Sequence, residues 1–350
     1  MAGAARLVRR PFRDEQAPVI LWLQFAAVMG VIVFAGSNLS KYGDVIAEKT
    51  GMGRTWVGLL LMASVTSLPE LITGVSAVTY FDLPNIAVGN VLGACMFNML
   101  TIALLDALSG PTPISARAHQ GQVLAAGFGI LLLGVASMNI AAGGKMPALG
   151  WVGSSSLAFF VIYVIAMRTV FLFEKRRIAE FVHEKAEAAR YGSIALGKAY
   201  RNYATHAVLV IGAAVYLPYL GEQIAAATGL GETFVGTTLI ALTTTLPELV
   251  VSIAALRIDA ADLVYGNLLG SNLFNMAILA LDDLLYFKGP LLTSAAPGHI
   301  VTANAAAAMT AVAVIGLTYR VSKKRFVFAW DSLAIVIVYL YAVTMVYMLR

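Results

Sequence analysis

The sequence is poor in charge and almost free of cysteine. Only 12% of its 350 residues are Asp, Glu, Lys or Arg, about half the share found in ordinary soluble domains, so a water-soluble enzyme is not expected. Its high hydrophobic content excludes intrinsic disorder. The single cysteine, Cys95, cannot form an internal disulfide or a CxxC metal site.

The motifs of ATP-driven pumps and of zinc enzymes are also missing from the sequence. It contains no glycine-rich P-loop and no Ser-His-Asp order, and its four histidines form no H-E-x-x-H pattern. ATP-driven transport therefore has no support. The net charge of +5 is attributed to loops at the cytoplasmic face, and no nucleic-acid partner is expected.

Long apolar runs take the place of these features. Hydrophobic residues make up 59% of the chain, the mean hydropathy is +0.81, and unbroken apolar runs approach the roughly 20 residues of a membrane helix. These runs predict an all-α protein with about ten transmembrane helices in the lipid bilayer. The predicted spans are 19–39, 55–79, 85–108, 119–140, 149–172, 203–227, 233–257, 262–286, 299–319 and 327–349.

An internal repeat is the most informative feature of the sequence. Residues 57–72 read VGLLLMASVTSLPELI and residues 235–250 read VGTTLIALTTTLPELV; residues 89–98 read GNVLGACMFN and residues 266–275 read GNLLGSNLFN. Each copy lies in a half of about five spans, and an odd number of spans turns the second half upside down relative to the first. Inverted repeats are typical of secondary transporters, with the substrate site near the midplane.

The halves are separated by one long polar connection with mixed charge, which predicts a short surface helix. The predicted organisation is a first membrane repeat at 19–172, a cytoplasmic charged linker at 173–202 and a second membrane repeat at 203–349.

One acid lies in the middle of a span in each repeat, Glu70 in SLPEL and Glu248 in TLPEL. Carboxylates near a bilayer centre are costly and mark ion pathways. The prolines before them, Pro69 and Pro247, remove a backbone donor each and predict a broken helix with free carbonyls. Unwound backbone in a membrane is tolerated where it lines a cavity or is buried in protein.

Hydroxyl groups precede both acids, in the runs Thr66–Ser67 and Thr243–Thr245. Each half thus offers a carboxylate, hydroxyl groups and backbone carbonyls at the same depth in the membrane. These are hard oxygen ligands, which suit Ca²⁺ and Na⁺. Two glutamates also balance the charge of one divalent ion.

Amides form a second repeated pair, Asn98 and Asn275, at the ends of the glycine-punctuated segments. They could ligate an ion or hold a carboxylate. Asn90, Asn267 and Asn272 fit helix–helix hydrogen bonding and a supporting role equally well. The G-x-x-x-G spacings in both segments predict close helix packing, and Asp282 and Asp283 are interpreted as ordinary residues at the end of a span.

The paired SLPEL/TLPEL and GNxLGxxxFN segments resemble the α-repeats of the cation/Ca²⁺ exchanger superfamily, in particular prokaryotic sodium/calcium antiporters. The resemblance implies ten helices, with the second and third spans of each half forming the ion-binding core. It also implies long, tilted first and sixth helices that slide past this core.

When the family's motifs are aligned with this sequence position by position, the resemblance also implies which residues bind the ions. The central acids are Glu70 and Glu248, and the remaining ligands are the side chains of Thr66, Thr244, Ser67, Thr245, Asn98, Asn275 and Ser271 with the carbonyls of Ala63 and Ala241. No cofactor is expected beyond the transported Ca²⁺ and Na⁺, and a monomer is expected to suffice for transport.

The sequence departs from the family pattern at three places. Val65 and Thr243 replace the usual glycine before the acidic motif, and Ala94 replaces a serine that would ligate Na⁺. Asn275 stands where potassium-dependent members commonly have an aspartate, which argues against potassium dependence.

Several functions remain open on the sequence. The leading hypothesis is exchange of Ca²⁺ for Na⁺ by alternating access at the two glutamates. A Ca²⁺/H⁺ antiporter, or one for another divalent cation, could use the same two acids to carry protons. An intramembrane enzyme with a glutamate acid–base pair lacks a nucleophile or metal partner, and a passive channel would not need broken helices in symmetric halves.

The distribution of basic residues predicts the orientation in the plasma (inner) membrane. With ten spans, seven of the 24 Lys and Arg residues lie on the side of both termini and the other seventeen on the opposite side. The basic side faces the cytoplasm. A reporter fused after Arg350 should therefore be active only outside the cytoplasm, and activity restricted to the cytoplasm would overturn this orientation.

Overall fold

The computed structural model describes residues 17–50, 66–181 and 194–350. In the first half, these residues form α1 (Ala17–Thr50), α2 (Leu68–Ser76) continued by a π-helical turn π1 (Ala77–Phe81), α3 (Pro84–Leu108), the short α4 (Ile114–Arg117), α5 (Gln122–Ala142) and α6 (Ser154–Phe181). Between α5 and α6 lie a 3₁₀ turn (Gly143–Lys145) and the two-residue antiparallel strands β1 (Ala148–Leu149) and β2 (Val152–Gly153).

The second half has the same succession of long helices, but its π-helical turn precedes the acid-bearing helix instead of following it. It consists of α7 (Leu196–Thr228), the short α8 (Glu232–Val235) with the π-helical turn π2 (Gly236–Ile240), α9 (Ala241–Arg257), α10 (Ala261–Leu285), a 3₁₀ turn (Leu291–Thr293), α11 (Gly298–Tyr319) and α12 (Trp330–Met348). Each half thus places a π-helical turn in its second span, and π-helical turns inside helices are frequent at functional sites.

Nine helices within the described ranges are long and apolar enough to cross a membrane. The remaining predicted span, 55–79, begins outside the described residues, and α2 with π1 forms its second part. The all-α architecture predicted from the sequence is confirmed. Both ends of the predicted linker 173–202 belong to the long helices, because α6 continues to Phe181 and α7 already begins at Leu196.

The connecting loops fall into two groups at opposite ends of the helices. At one end, Lys288 pairs with Asp82 at 2.5 Å, and the amide of Ala296 donates to Asn85 Oδ1 at 2.8 Å. At the other end, Arg117 pairs with Asp259 at 2.5 Å. The loop after the third span of each half therefore lies at a different end of the molecule, as inverted halves require.

Two aspartates fix the third span of each half in equivalent ways. Asp106 at the end of α3 accepts the amides of Ile114 and Ala329, each at 2.9 Å. Asp283 at the end of α10 accepts the amides of Leu291 at 2.5 Å and Gly153 at 2.8 Å. Each aspartate thus connects its span to the following loop and to the start of the last helix of the other half. Asp283 was interpreted from the sequence as ordinary, and this symmetric role went unrecognised.

The longest helices, α1 and α7, pack extensively against each other. With 34 and 33 residues they are about 50 Å long, which exceeds the roughly 30 Å of a hydrocarbon core. Long first and sixth helices were implied by the family resemblance. Where the two meet, Ala35, Leu39 and Val210 form a small apolar cluster separate from the main core.

The two repeats approach each other closely where α3 crosses π2. A Cβ added to Gly89 would lie 2.9 Å from the amide nitrogen of Thr237, and one added to Gly93 would overlap the Thr237 carbonyl oxygen. The predicted packing role of this G-x-x-x-G spacing is confirmed for α3, because both glycines contact the backbone of the opposite repeat. It is wrong for the second copy in α10, where a Cβ added to Gly266 or Gly270 would meet no described backbone atom of another element within 4 Å.

We expect Gly93→Ala to destabilise the protein by about 1–3 kcal/mol, since the added methyl must displace the π2 backbone. The matched control is Gly134→Ala in α5, where no described atom lies within 4 Å of the added Cβ and where alanine favours the helix by up to about 1 kcal/mol. Thermal unfolding in detergent measures both variants. A Gly93→Ala protein as stable as the control would contradict the close crossing.

Candidate ion-binding site

The two mid-span acids meet at the interface between the repeats. Glu70 lies in the first turn of α2 and Glu248 lies in the middle of α9. Both side chains are completely buried. Ser67, just before α2, donates its hydroxyl to Glu248 Oε1 at 3.3 Å. A side chain from one repeat therefore contacts the acid of the other, so the two acidic motifs are adjacent at the interface between the repeats.

The backbone around the two acids is not symmetric. In the first repeat α2 begins at Leu68, with Pro69 in its first turn and Ser67 as its non-helical cap. In the second repeat α9 continues through Pro247 without interruption, so the predicted break at this proline is wrong. Proline still lacks the amide that would bond the carbonyl of Thr243, and the irregular backbone of this span is the preceding π2.

Two asparagines at equivalent repeat positions support the acid-bearing helices. Asn90 donates to the backbone carbonyl of Glu70 at 3.1 Å, and Asn267 donates to that of Glu248 at 3.3 Å. Thr244 donates its hydroxyl to Asn90 Oδ1 at 3.0 Å and so links α9 to this support. Sequence reasoning left both asparagines undecided, although the repeated GN dipeptide carried the signal.

The hydroxyl groups assigned as ligands are buried, and several of them bond backbone. Thr245 donates its hydroxyl to the carbonyl of Ala241 at 2.6 Å, and Thr244 shares its one hydroxyl proton between this carbonyl, at 3.2 Å, and Asn90 Oδ1. This predicted carbonyl ligand is therefore already close to two hydroxyls. Thr66 is buried next to Ser67. The predicted carbonyl of Ala63 lies outside the described residues.

The predicted amide ligands lie where α3 crosses α10. Asn98 Nδ2 donates to Asn272 Oδ1 at 2.9 Å, and Asn272 Nδ2 donates to the carbonyl of Cys95 at 3.3 Å. Asn275 Nδ2 lies 4.0 Å from Cys95 Sγ. The amide nitrogens of Asn98 and Asn275 thus face the other repeat, and the side-chain contacts of both join the two copies of the glycine-rich segment.

The region is rich in buried oxygens that lack a donor. Within the described part of the chain, neither carboxylate oxygen of Glu70 has a hydrogen-bond partner, and the same holds for Glu248 Oε2, Asn98 Oδ1, Asn275 Oδ1 and Ser271 Oγ. Leaving a buried acceptor unpaired is costly, most of all for a carboxylate. A bound cation would satisfy these oxygens, and oxygen-only sets suit Na⁺ and Ca²⁺.

The site offers two carboxylates rather than a cluster of metal ligands. Among the described residues no group of three or more His, Cys, Asp or Glu side chains lies close enough to hold a metal. Carboxylate, amide and hydroxyl oxygens make up the set, with Ala94, which is buried and has no hydroxyl, at the position equivalent to Ser271.

The inverted halves, the paired acids and the buried oxygens define a cation transporter of the secondary type. The chain belongs to the sodium/calcium exchanger protein family, whose model matches residues 20–169 and 204–348. The resemblance seen in the two repeated motifs is thereby confirmed.

Individual relatives are distant in sequence. The chain is 26% identical to the sodium/calcium exchanger MaX1 of Methanosarcina acetivorans, covering 73% of this chain and 81% of that protein. It is 25% identical to the inner membrane protein YrbG of Escherichia coli, covering 71% and 74%. The solved structure of the sodium-calcium exchanger NCX_Mj soaked with Na⁺ and Sr²⁺ superimposes with a TM-score of 0.59 at 22% identity, over 93% of this chain and 98% of the other.

Proposed function

We propose that this chain is a secondary active antiporter that exchanges Ca²⁺ for Na⁺ across the membrane at the Glu70–Glu248 site. The observation that carries the proposal is the set of buried, unpaired oxygens around two buried carboxylates from opposite repeats. One divalent ion neutralises both acids. Na⁺ has a similar radius and accepts the same oxygen ligands, so the two ions compete for one site, which is the requirement for exchange.

Alternating access in this proposal comes from α1 and α7. Both carboxylates are closed off in the present conformation, so an ion reaches them only after a neighbouring helix moves. α1 packs against α9, which bears Glu248, and α7 packs against α2, which bears Glu70. Because part of the α1–α7 contact belongs to its own small apolar cluster, we infer that the pair slides across the core as a unit.

The same residues support a second candidate, exchange of Ca²⁺ or another divalent cation for H⁺. Ala94 removes a hydroxyl from the Na⁺ ligand set that Ser271 retains in the other repeat. A carboxyl group without donors, such as Glu70, can also take up a proton. In either case, we place the protein in the plasma (inner) membrane with both termini outside, as a monomer that suffices for transport.

Uptake of ⁴⁵Ca²⁺ into proteoliposomes separates the two candidates. We expect an imposed Na⁺ gradient to drive uptake and a pH gradient of equal size to drive much less. Uptake with the pH gradient alone would establish the H⁺-coupled candidate instead. Absence of Ca²⁺ movement under either gradient would refute both.

Glu70→Gln and Glu248→Gln should each reduce exchange at least about tenfold, because each removes one of the two charges that balance a divalent ion and tenfold corresponds to only about 1.4 kcal/mol. The matched control is Asp259→Asn, an acid whose side chain is 78% exposed. Size-exclusion chromatography checks that all three variants fold. Near-normal transport by both glutamine variants would contradict the site assignment.

Ala94→Ser should strengthen the apparent affinity for Na⁺ and change that for Ca²⁺ little. A monovalent ion gains a substantial share of its ligation from one added oxygen, whereas Ca²⁺ is held mainly by the two carboxylates and tolerates flexible coordination. Competition of Na⁺ against Ca²⁺ binding measures both affinities. An unchanged Na⁺ midpoint would show that residue 94 does not contact Na⁺ or that Na⁺ is not the coupling ion.

A further inference from the structure

In the described part of the chain, one buried carboxylate outside the exchange site lacks a hydrogen-bond partner on both of its oxygens. Asp282 on α10 is completely buried, and within the described ranges neither of its oxygens has a hydrogen-bond partner. The adjacent Asp283 differs in this respect, because it accepts bonds from the amides of Gly153 and Leu291 and from the hydroxyl of Ser156. The structural role of Asp283 therefore does not account for Asp282.

The carboxyl group of Asp282 lies against the backbone of α2 at Gly74. A Cβ added to Gly74 would lie 2.8 Å from Asp282 Oδ1 and would overlap Oδ2. Gly74 is one helical turn beyond Glu70, on the side that leads to π1 and to the Asp82–Lys288 pair. Asp282 thus occupies a contact between the two repeats, between the exchange site and that end of the molecule, which we call the π1 end.

The internal repeat does not require an acid at the position of Asp282. The equivalent position in the first repeat is the buried Leu105, so an apolar side chain is compatible with the same place in the fold. An ionisable residue inside a membrane domain that has no structural partner is by default a functional one.

The surroundings of Asp282 oppose a negative charge. On the described elements that pack against α10 and in the adjoining loops, the titratable and charged groups nearest this end and the exchange site are Asp283, Glu70, Glu248, Cys95, Tyr80, Tyr163, Asp82 and Lys288, whereas Asp106, Arg117, Arg168 and Arg257 lie toward the opposite end of the helices. The only cation in the first of these two groups, Lys288, pairs with Asp82. An ionised Asp282 would be left without a donor in this contact, which is costly, so the contact with Gly74 forms with a neutral acid.

We propose that Asp282 is a proton-binding site that controls closure of the route from the π1 end to the exchange site. When α2 and α10 close on each other, the carboxyl group takes a proton from the solution at this end, and it returns that proton to the same solution when the helices separate and water enters. The proton does not cross the membrane, so this site changes the rate of exchange with pH and leaves its stoichiometry unchanged.

Two measurements test the proposal, and the first is independent of transport. The infrared spectrum of the protein in lipid at neutral pH should contain the carbonyl stretch of a protonated carboxyl group that is absent from Asp282→Asn and present in Asp331→Asn. Asp331 is the matched control because it is a buried aspartate on α12 near the opposite end of the helices. A spectrum of Asp282→Asn that retains all of the signal would refute a neutral Asp282.

The second measurement rests on the proposed exchange function and uses sealed vesicles in which pH is set separately on each face. We expect the exchange rate of the wild type and of Asp331→Asn to depend on pH at the π1 end, and that of Asp282→Asn to depend on it much less while the variant still exchanges ions. The same pH profile in Asp282→Asn would overturn the proposal. Failure of the wild type to exchange any cation would instead refute the proposed function, and the infrared result would still decide the protonation of Asp282.

Discussion

The cost of holding two carboxylates inside an apolar membrane domain governs the design of this protein. Glu70 and Glu248 are completely buried and receive one side-chain hydrogen bond between them from the described residues, that of Ser67. Water normally stabilises an ionised carboxylate by hydration, and complete burial removes that hydration from both acids. In the site that we propose, a bound cation satisfies both acids, and an unoccupied, ionised and closed site is therefore unfavourable. Such a site resists closing when empty, which is the property that an exchanger needs to avoid leakage.

The two acids are brought together because the two copies of the repeated motif pack against each other in opposite orientations. Asn90 and Asn267 support the backbone of the acids at equivalent positions, and Asp106 and Asp283 fasten the helices that carry these asparagines to opposite ends of the molecule. The symmetry is incomplete where function is concentrated. Ala94 corresponds to Ser271 in the other repeat, and Asp282 corresponds to Leu105. Differences of this kind allow one half to distinguish ions or faces that a fully symmetric site would treat alike.

Much of the architecture followed from the sequence, because span length and repetition are properties of the chain itself. Apolar runs gave the helices, and the two copies of the acidic motif gave the pairing of Glu70 with Glu248. The local geometry was less predictable. Pro247 was expected to break its helix, yet α9 is continuous and the irregular backbone lies earlier, at π2, where α3 packs through Gly89 and Gly93. Asp282 was passed over because the position of an acid near a span end does not reveal whether it faces water or another helix.

The length of α1 relates the protein to the lipid around it. Its apolar part, Val19–Ile46, has 28 residues and is about 42 Å long, whereas the hydrocarbon core is about 30 Å thick. A helix of this length fits only by inclining or by thickening the adjacent bilayer, each at a modest cost per ångström of mismatch. Because this helix crosses the acid-bearing core, any change in its inclination during the cycle alters that mismatch. If α1 moves as proposed, we expect bilayer thickness to act on the conformational equilibrium of the exchanger.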